Sequence, residues 1–191
     1  VVLALVSFAL VLTTNAYTVA LSFGALAVTI VYPFTKRFFA MPQAVLGVAY
    51  AFGIPMAFTA VLNEIPPVVG WLLAGKLAWV IAYDTEYAMV DRNDDLKIGI
   101  RTSAITLGRF DVAGVMSLYA VCIACWWQAG QLTGMGWVYD LSLLVAAAQA
   151  LYHYTLIKGR ERLACFQAFR LNHWLGLTVW VGVVADLALR G

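Results

Sequence analysis

Trp79-Val-Ile-Ala-Tyr-Asp-Thr-Glu-Tyr-Ala-Met-Val-Asp-Arg-Asn-Asp-Asp-Leu-Lys97 passes without interruption from apolar side chains into a dense acidic run. The first half reads as the end of a membrane-crossing helix, and the second half puts several carboxylates at its mouth. At about 100° per residue, Asp91 and Asp95 fall within about 20° of the direction of Asp84 if the helix continues. Three carboxylates would then share one stripe, with Asp91 and Asp95 adjacent at i,i+4. Like charges at that spacing repel, and acids at membrane depth are expensive. Something positive should offset them.

The rest of the chain supplies the membrane. Of its 191 residues 63% are apolar and only 12% charged, with a mean hydropathy of +0.86. A soluble domain is about 45–50% apolar and about 25% charged, so a water-soluble domain is excluded, and disorder with it. The net charge of +2 gives no footprint for nucleic acid, and three scattered cysteines do not make a disulfide scaffold. A spanning helix needs roughly 20 apolar residues. Candidate spans are 1–14 (cut short), 17–34, 42–62, 68–88, 112–132, 137–157 and 174–189. The expectation is a single all-α domain over residues 1–191, a polytopic transmembrane helix bundle in the lipid bilayer. Gly47, Gly53 and Pro55 in the third span predict close packing and a kink. The chain opens on Val1 in an apolar run with no basic residue ahead of it, where a signal peptide would carry one. The expectation is a chain that starts partway along a transmembrane helix.

Basic residues orient these spans. Lys36 and Arg37 follow the second, Arg92, Lys97, Arg101 and Arg109 the fourth, and Lys158, Arg160, Arg162 and Arg170 the sixth. These alternate connections share one side and hold ten of the twelve Lys and Arg residues. Positive residues mark the cytoplasmic face, which places the acidic mouth there. Mg²⁺ typically takes one or two carboxylates plus substrate phosphates, so the acids read as a metal–diphosphate site. A solvated acidic cap paired with Arg92, Lys97 and Arg101 reads the same spacing equally well. Lys36 and Arg37 are suited to gripping phosphate oxygens, or serve as a plain positive-inside anchor.

Other polar residues invite simpler readings. Cys122 and Cys125 form a CxxC inside an apolar span with no second pair, which argues against metal or redox work. His153 and His173 fit interfacial packing. Lys76, an intramembrane lysine, is read as snorkelling or as a polar packing contact. Asp186 and Arg190 form an i,i+4 pair expected as an exposed cap.

Tyr83-Asp-Thr-Glu-Tyr-Ala-Met-Val-Asp-Arg-Asn-Asp-Asp-Leu-Lys-Ile-Gly-Ile100 resembles the second aspartate-rich motif of the UbiA family of intramembrane prenyltransferases. Tyr32-Pro-Phe-Thr-Lys-Arg37, Pro42-Gln-Ala-Val-Leu-Gly47, Ile54-Pro-Met-Ala-Phe58 and Arg160-Glu-Arg-Leu-Ala-Cys-Phe-Gln-Ala-Phe169 are similar as well. The resemblance runs over essentially the whole chain. It implies a nine-helix bundle, of which about seven spans, the first partial, stand in this chain. It further implies Mg²⁺-dependent transfer of a polyprenyl group from polyprenyl diphosphate to the 3-position of 4-hydroxybenzoate, in ubiquinone biosynthesis at a bacterial inner membrane.

Carried over by position, Asp91 and Asp95 are the implied metal-binding carboxylates, supported by Asp84. Lys36 and Arg37 face the diphosphate or the carboxylate of the aromatic acid. Tyr32, Asp84, Lys97 and Arg101 are expected on the substrate side. The family's first motif, of the form Asn-Asp-x-x-Asp-x-x-x-Asp, does not occur in these 191 residues. Its place is expected in a preceding segment, and this chain alone is expected to be inactive. Asn93 stands where related sequences often carry an acid, with Asp94 and Asp95 beside it. A prenyltransferase for another quinone precursor or a haem-type acceptor, and a transporter subunit whose charges line a path, are the alternatives.

Overall fold

A helix survives in a membrane because it satisfies its own backbone, and the computed structural model, which describes residues 2–190, is built of helices joined by short turns. Val1, with which the first expected span begins, lies outside the described residues. The helices are α1 (Val2–Val11), α2 (Ala16–Thr35), α3 (Pro42–Ala51), α4 (Gly53–Leu62), α5 (Val68–Ile98), α6 (Ser103–Leu107), α7 (Asp111–Leu132), α8 (Trp137–Ile157) and α9 (Arg162–Arg190), with a 3₁₀ turn at Gly108–Phe110. Among the described residues there is no strand.

The ends of the helices follow from local chemistry. Asn15 caps α2: its side-chain oxygen accepts from the Thr18 amide at 3.0 Å, and its amide reaches the Thr59 carbonyl of α4. The expected kink falls at Phe52, between α3 and α4. Pro55 sits in the first turn of α4, where its missing N–H costs no hydrogen bond. Gly99, at φ +72°, closes α5 with its N–H on the Asp95 carbonyl, in the left-handed conformation that glycine adopts most freely.

Five helical stretches are long and apolar enough to cross a membrane: Ala16–Thr35, Pro42–Leu62, Val68–Ile98, Ser103–Leu132 and Arg162–Arg190. The chain is a multi-pass membrane protein. The fold class agrees with expectation, but not all the spans do. Helix α8 matches the expected 137–157 in extent, yet Asp140, Gln149 and His153 dilute its apolar character and it is not among the five. Helix α1 is apolar but only ten residues long. One expected span, 68–88, stops too early, and another, 174–189, starts too late. Helix α5 runs on through the acidic stretch, and α9 begins at Arg162, inside what hydropathy reads as a connection. The reason is packing: Cys165, Ala168, Asn172 and Leu175 are buried at helical spacing, so the polar residues between them ride a helix with one inward stripe.

Helix α5 is the central strut. It packs against α7 on one side, α3 on another and α9 on a third, while α8 lies on α9 and α7. Large apolar side chains such as Leu26, Ile30, Leu144 and Leu151 are left exposed on the outside of the bundle, as a lipid surrounding allows. Close approach depends on small residues. A Cβ at Gly182 would overlap Ser142 Oγ and Cβ, so α9 can lie this near α8 only with glycine there.

Asp186 corrects an expectation. It is 3% exposed, and its carboxylate accepts from the Gly136 amide at 2.9 Å and the Tyr139 amide at 3.3 Å while Arg190 pairs with it. It is therefore a buried cap on the first turn of α8, where unpaired N–H groups and the helix dipole both favour a carboxylate.

Gly182→Ala is expected to lower the thermal unfolding midpoint in detergent, at a cost of about 1–3 kcal/mol. An unchanged midpoint would contradict the close contact of α8 with α9.

Candidate functional site

Because α5 is continuous to Ile98, the stripe drawn from the sequence exists as one face of one helix. Asp84, Asp91 and Asp95 are each half-buried along it. Asp91 and Asp95 sit on adjacent turns, whereas Asp84 lies about 10 Å further down the helix axis. The Lys36 charge acts on both Asp84 and Asp95. Its ammonium also lies 5.9 Å from the centre of the Tyr32 ring, and Asp84 in turn acts on the phenols of Tyr32 and Tyr83. The basic connection after the second span therefore meets the acidic face of α5, as the alternation of loops predicts. Arg37 is exposed beside it.

That meeting is held by the segment after α5. Gly99 turns the chain back, and Thr102 caps α6 by accepting from the Ile105 amide. The Arg101 amide then donates to the Lys36 carbonyl at 3.1 Å, and its guanidinium to the Phe38 carbonyl at 2.9 Å. Thr106 Oγ1 donates to the Ala40 carbonyl. The Ser103 amide donates to buried Gln43 Oε1 at 2.9 Å, and Ser103 Oγ meets Thr85 Oγ1 of α5 at 2.7 Å. Arg101, expected on the substrate side, thus braces the 36–40 loop.

The charges sort themselves unexpectedly. Of the three cations the sequence offered to a solvated cap, only Lys97 pairs with an acid of the stretch, Asp94 at 3.3 Å. Arg92 turns to Asp111 at 4.0 Å, and Arg101 to a carbonyl. The main partner comes from α9: the two terminal nitrogens of Arg162 reach Asp91 at 3.2 Å and Asp94 at 3.1 Å. Buried Asp111 takes the Arg160 guanidinium at 2.6 Å and so pins the turn before α9 to the start of α7.

Below the carboxylates the same face turns apolar. Leu77 and Leu73 continue the stripe toward the other end of α5, within about 20° of the direction of Asp84. With Ala51, Phe52 and Pro55 at the kink they line an apolar groove. On the side of α5 toward α9, Trp79 and Tyr83 stand 5.6 Å apart, and Tyr83 and Tyr87 reach Phe169 at 6.1 and 4.9 Å, so an aromatic wall descends along that side. Lys76 rests over the Trp79 ring at 4.3 Å, a polar packing contact.

Among the described residues, no group of three or more His, Cys, Asp or Glu side chains is gathered so as to hold a metal by itself. Two half-buried carboxylates on adjacent turns are instead the donor set Mg²⁺ takes when phosphate oxygens complete its shell. The residues fit a metal shared with a diphosphate, and not a closed metal cage.

One polar cluster escaped the sequence reading. Glu86 lies on the face of α5 opposite the stripe and is fully buried. Its Oε2 accepts from Asn172 Nδ2 at 2.8 Å, and its Oε1 stands 3.0 Å from the Tyr119 hydroxyl and 3.1 Å from His153 Nδ1. Asn172 Oδ1 accepts from Trp79 Nε1 at 2.9 Å. His153, read as interfacial, is 1% exposed and belongs to this network, which ties α5 to α7, α8 and α9. The signal was a glutamate within an otherwise apolar helix.

The family model described as the UbiA prenyltransferase family matches residues 1–176. The chain is 60% identical to a 4-hydroxybenzoate octaprenyltransferase of Paracidovorax citrulli, over 99% of this chain and 64% of that protein. It is 62% identical to the protein of that name from a Polaromonas species, over 95% of this chain and 64% of the relative. The chain thus spans about two thirds or slightly less of the curated relatives it matches. Among solved structures, the apo structure of a UbiA homolog from Aeropyrum pernix K1 superposes with a TM-score of 0.78 at 24% identity, over 94% of this chain and 68% of that one. A digeranylgeranylglyceryl phosphate synthase superposes with a TM-score of 0.74 at 14% identity, over 97% of this chain and 66% of that one. Both likenesses concern the fold.

Glu86→Ala strands three buried partners and is expected to cost about 3–5 kcal/mol in thermal unfolding, with Glu86→Gln losing markedly less. A loss no larger than that of exposed Glu161→Ala would contradict the network.

Proposed function

The chain belongs to the UbiA prenyltransferase family, and from that premise we propose that it acts in the transfer of a polyprenyl group from polyprenyl diphosphate to the ring of 4-hydroxybenzoate, at the 3-position, with release of diphosphate. The reaction is a step of ubiquinone biosynthesis. The names of the relatives support the acceptor and the polyprenyl donor. The observation that carries the reading is the division of one face of α5 into a carboxylate half and an apolar half. An allylic diphosphate has the same division, an anionic head that needs counter-charge and a long tail that needs an apolar wall.

In this reading Asp91 and Asp95 would hold Mg²⁺, with Asp84 behind them, and a metal bound there would supply positive charge against the departing diphosphate. Lys36 and Arg37 add fixed cationic donors where negative charge grows as the allylic C–O bond breaks and its electron pair leaves with the diphosphate. Tyr32 lines the approach, and Lys97 and Arg101 frame the mouth. Leu73, Leu77 and the aromatic wall take the isoprenoid and exclude the water that would quench an allylic cation. Aromatic faces also attract cationic carbon. The ring carbon ortho to the acceptor hydroxyl forms the new C–C bond, and loss of its proton restores aromaticity. The positive-inside asymmetry supports a mouth facing the cytoplasm, and the bacterial relatives support an inner-membrane location.

In the full-length protein, Asp91→Ala is expected to lower prenyl transfer at least about a hundredfold in membranes supplied with 4-hydroxybenzoate, polyprenyl diphosphate and Mg²⁺, as loss of a charge-stabilising group does. Insertion, read from protease protection of the loops, should stay normal. Near-normal product formation would remove Asp91 from the role.

A further inference from the structure

Arg162 stands at the first position of α9, with its side chain 62% exposed, and its fork spans Asp91 and Asp94. Three features set it apart from a surface ion pair. It comes from a different helix and is held beside α5 by the packing of Cys165 and Ala168 below it. One of its two partners is a proposed metal ligand. The second, Asp94, is already served by Lys97, so the guanidinium can leave without stranding that carboxylate.

We propose that Arg162 is an exchangeable placeholder: it occupies Asp91 when no divalent cation is present, and turns its freed fork to the diphosphate when one is. This rests on the metal–diphosphate reading of the same site. A guanidinium and a divalent cation compete for the same carboxylate oxygens, and the pair that must yield is exposed and therefore weak. Once displaced, the guanidinium remains within a side-chain length of Asp91, at the N-terminus of a long helix whose dipole also favours an anion. Its planar donors match phosphate oxygens in pairs. Arg162 thus raises the metal concentration needed without diphosphate and lowers the diphosphate concentration needed with metal, coupling the two.

The test uses the full-length protein in detergent, with Mn²⁺ as the spectroscopic probe of the metal site and inorganic diphosphate as the probe of the anion site. In Arg162→Ala, Mn²⁺ alone is expected to bind about threefold to tenfold more tightly, since two exposed ion pairs no longer compete. Diphosphate titrated at saturating Mn²⁺ is expected to bind about tenfold more weakly, having lost a charged fork. Opposite signs are the signature, because simple damage to the head of α9 weakens both. Arg162→Lys keeps a competing charge and should hold Mn²⁺ affinity within about twofold of the parent while recovering only part of the diphosphate affinity. Unchanged or weaker Mn²⁺ binding in Arg162→Ala overturns the proposal, as does unchanged diphosphate binding. Asp91→Asn separates it from the reading beneath: if that variant abolishes Mn²⁺ binding while Arg162→Ala does not alter it, the placeholder alone fails. If Asp91→Asn leaves Mn²⁺ binding intact, or the parent binds none even with diphosphate, the metal reading falls and takes the placeholder with it.

Discussion

A carboxylate on a membrane helix has to be compensated, and helix α5 carries carboxylates on two opposite faces. Each buried ion forfeits several kcal/mol of solvation unless partners replace the water. Glu86 meets that demand with a closed set of hydrogen bonds from three other helices. Asp84, Asp91 and Asp95 are only half-buried along the stripe, and the cation that pairs with Asp91 is exposed. The first solution fixes the rotation of α5 within the bundle. The second leaves its opposite face open to a ligand.

Rigid and exchangeable interactions are accordingly separated at the mouth. The segment after α5 is joined to the 36–43 region by hydrogen bonds to backbone carbonyls and to buried Gln43, the neutral ones each worth about 0.5–1.5 kcal/mol net. They hold Lys36 over the acids by its backbone, independently of what its ammonium touches. The ion pairs of Asp91 and Asp94 are exposed and worth about 0.2–1 kcal/mol each. A frame that does not move and charges that can change partners are what binding a highly charged head group requires.

Much of this was legible in residue order. Helical periodicity gave the acidic stripe, and the alternation of basic loops put Lys36 and Arg37 on its side. The kink followed from Gly53 and Pro55. Hydropathy failed where a helix is held by a buried stripe of small residues rather than by apolar mass, as in the first turns of α9 from Arg162. It did find α8, whose extent agrees with the expected 137–157 although Asp140, Gln149 and His153 dilute its apolar character. Glu86, His153 and Asn172 lie on three different helices, and no spacing rule connects them. The partner choices of Arg92, Arg101 and Arg162 are likewise tertiary: charge patterning puts cations near acids but does not say which cation arrives. Asp186 looked like an exposed i,i+4 pair because a buried helix cap uses the same residues.

The account stands or falls on whether the acidic mouth handles an allylic diphosphate beside an aromatic acceptor. The most direct measurement is mass-spectrometric detection of ring-prenylated 4-hydroxybenzoate in membranes carrying the full-length protein, fed polyprenyl diphosphate with Mg²⁺ or with a chelator. Product that appears with Mg²⁺ and vanishes with the chelator is the predicted result. Product formed equally well with the chelator present, or prenylation of a different aromatic acceptor with 4-hydroxybenzoate left untouched, would contradict it.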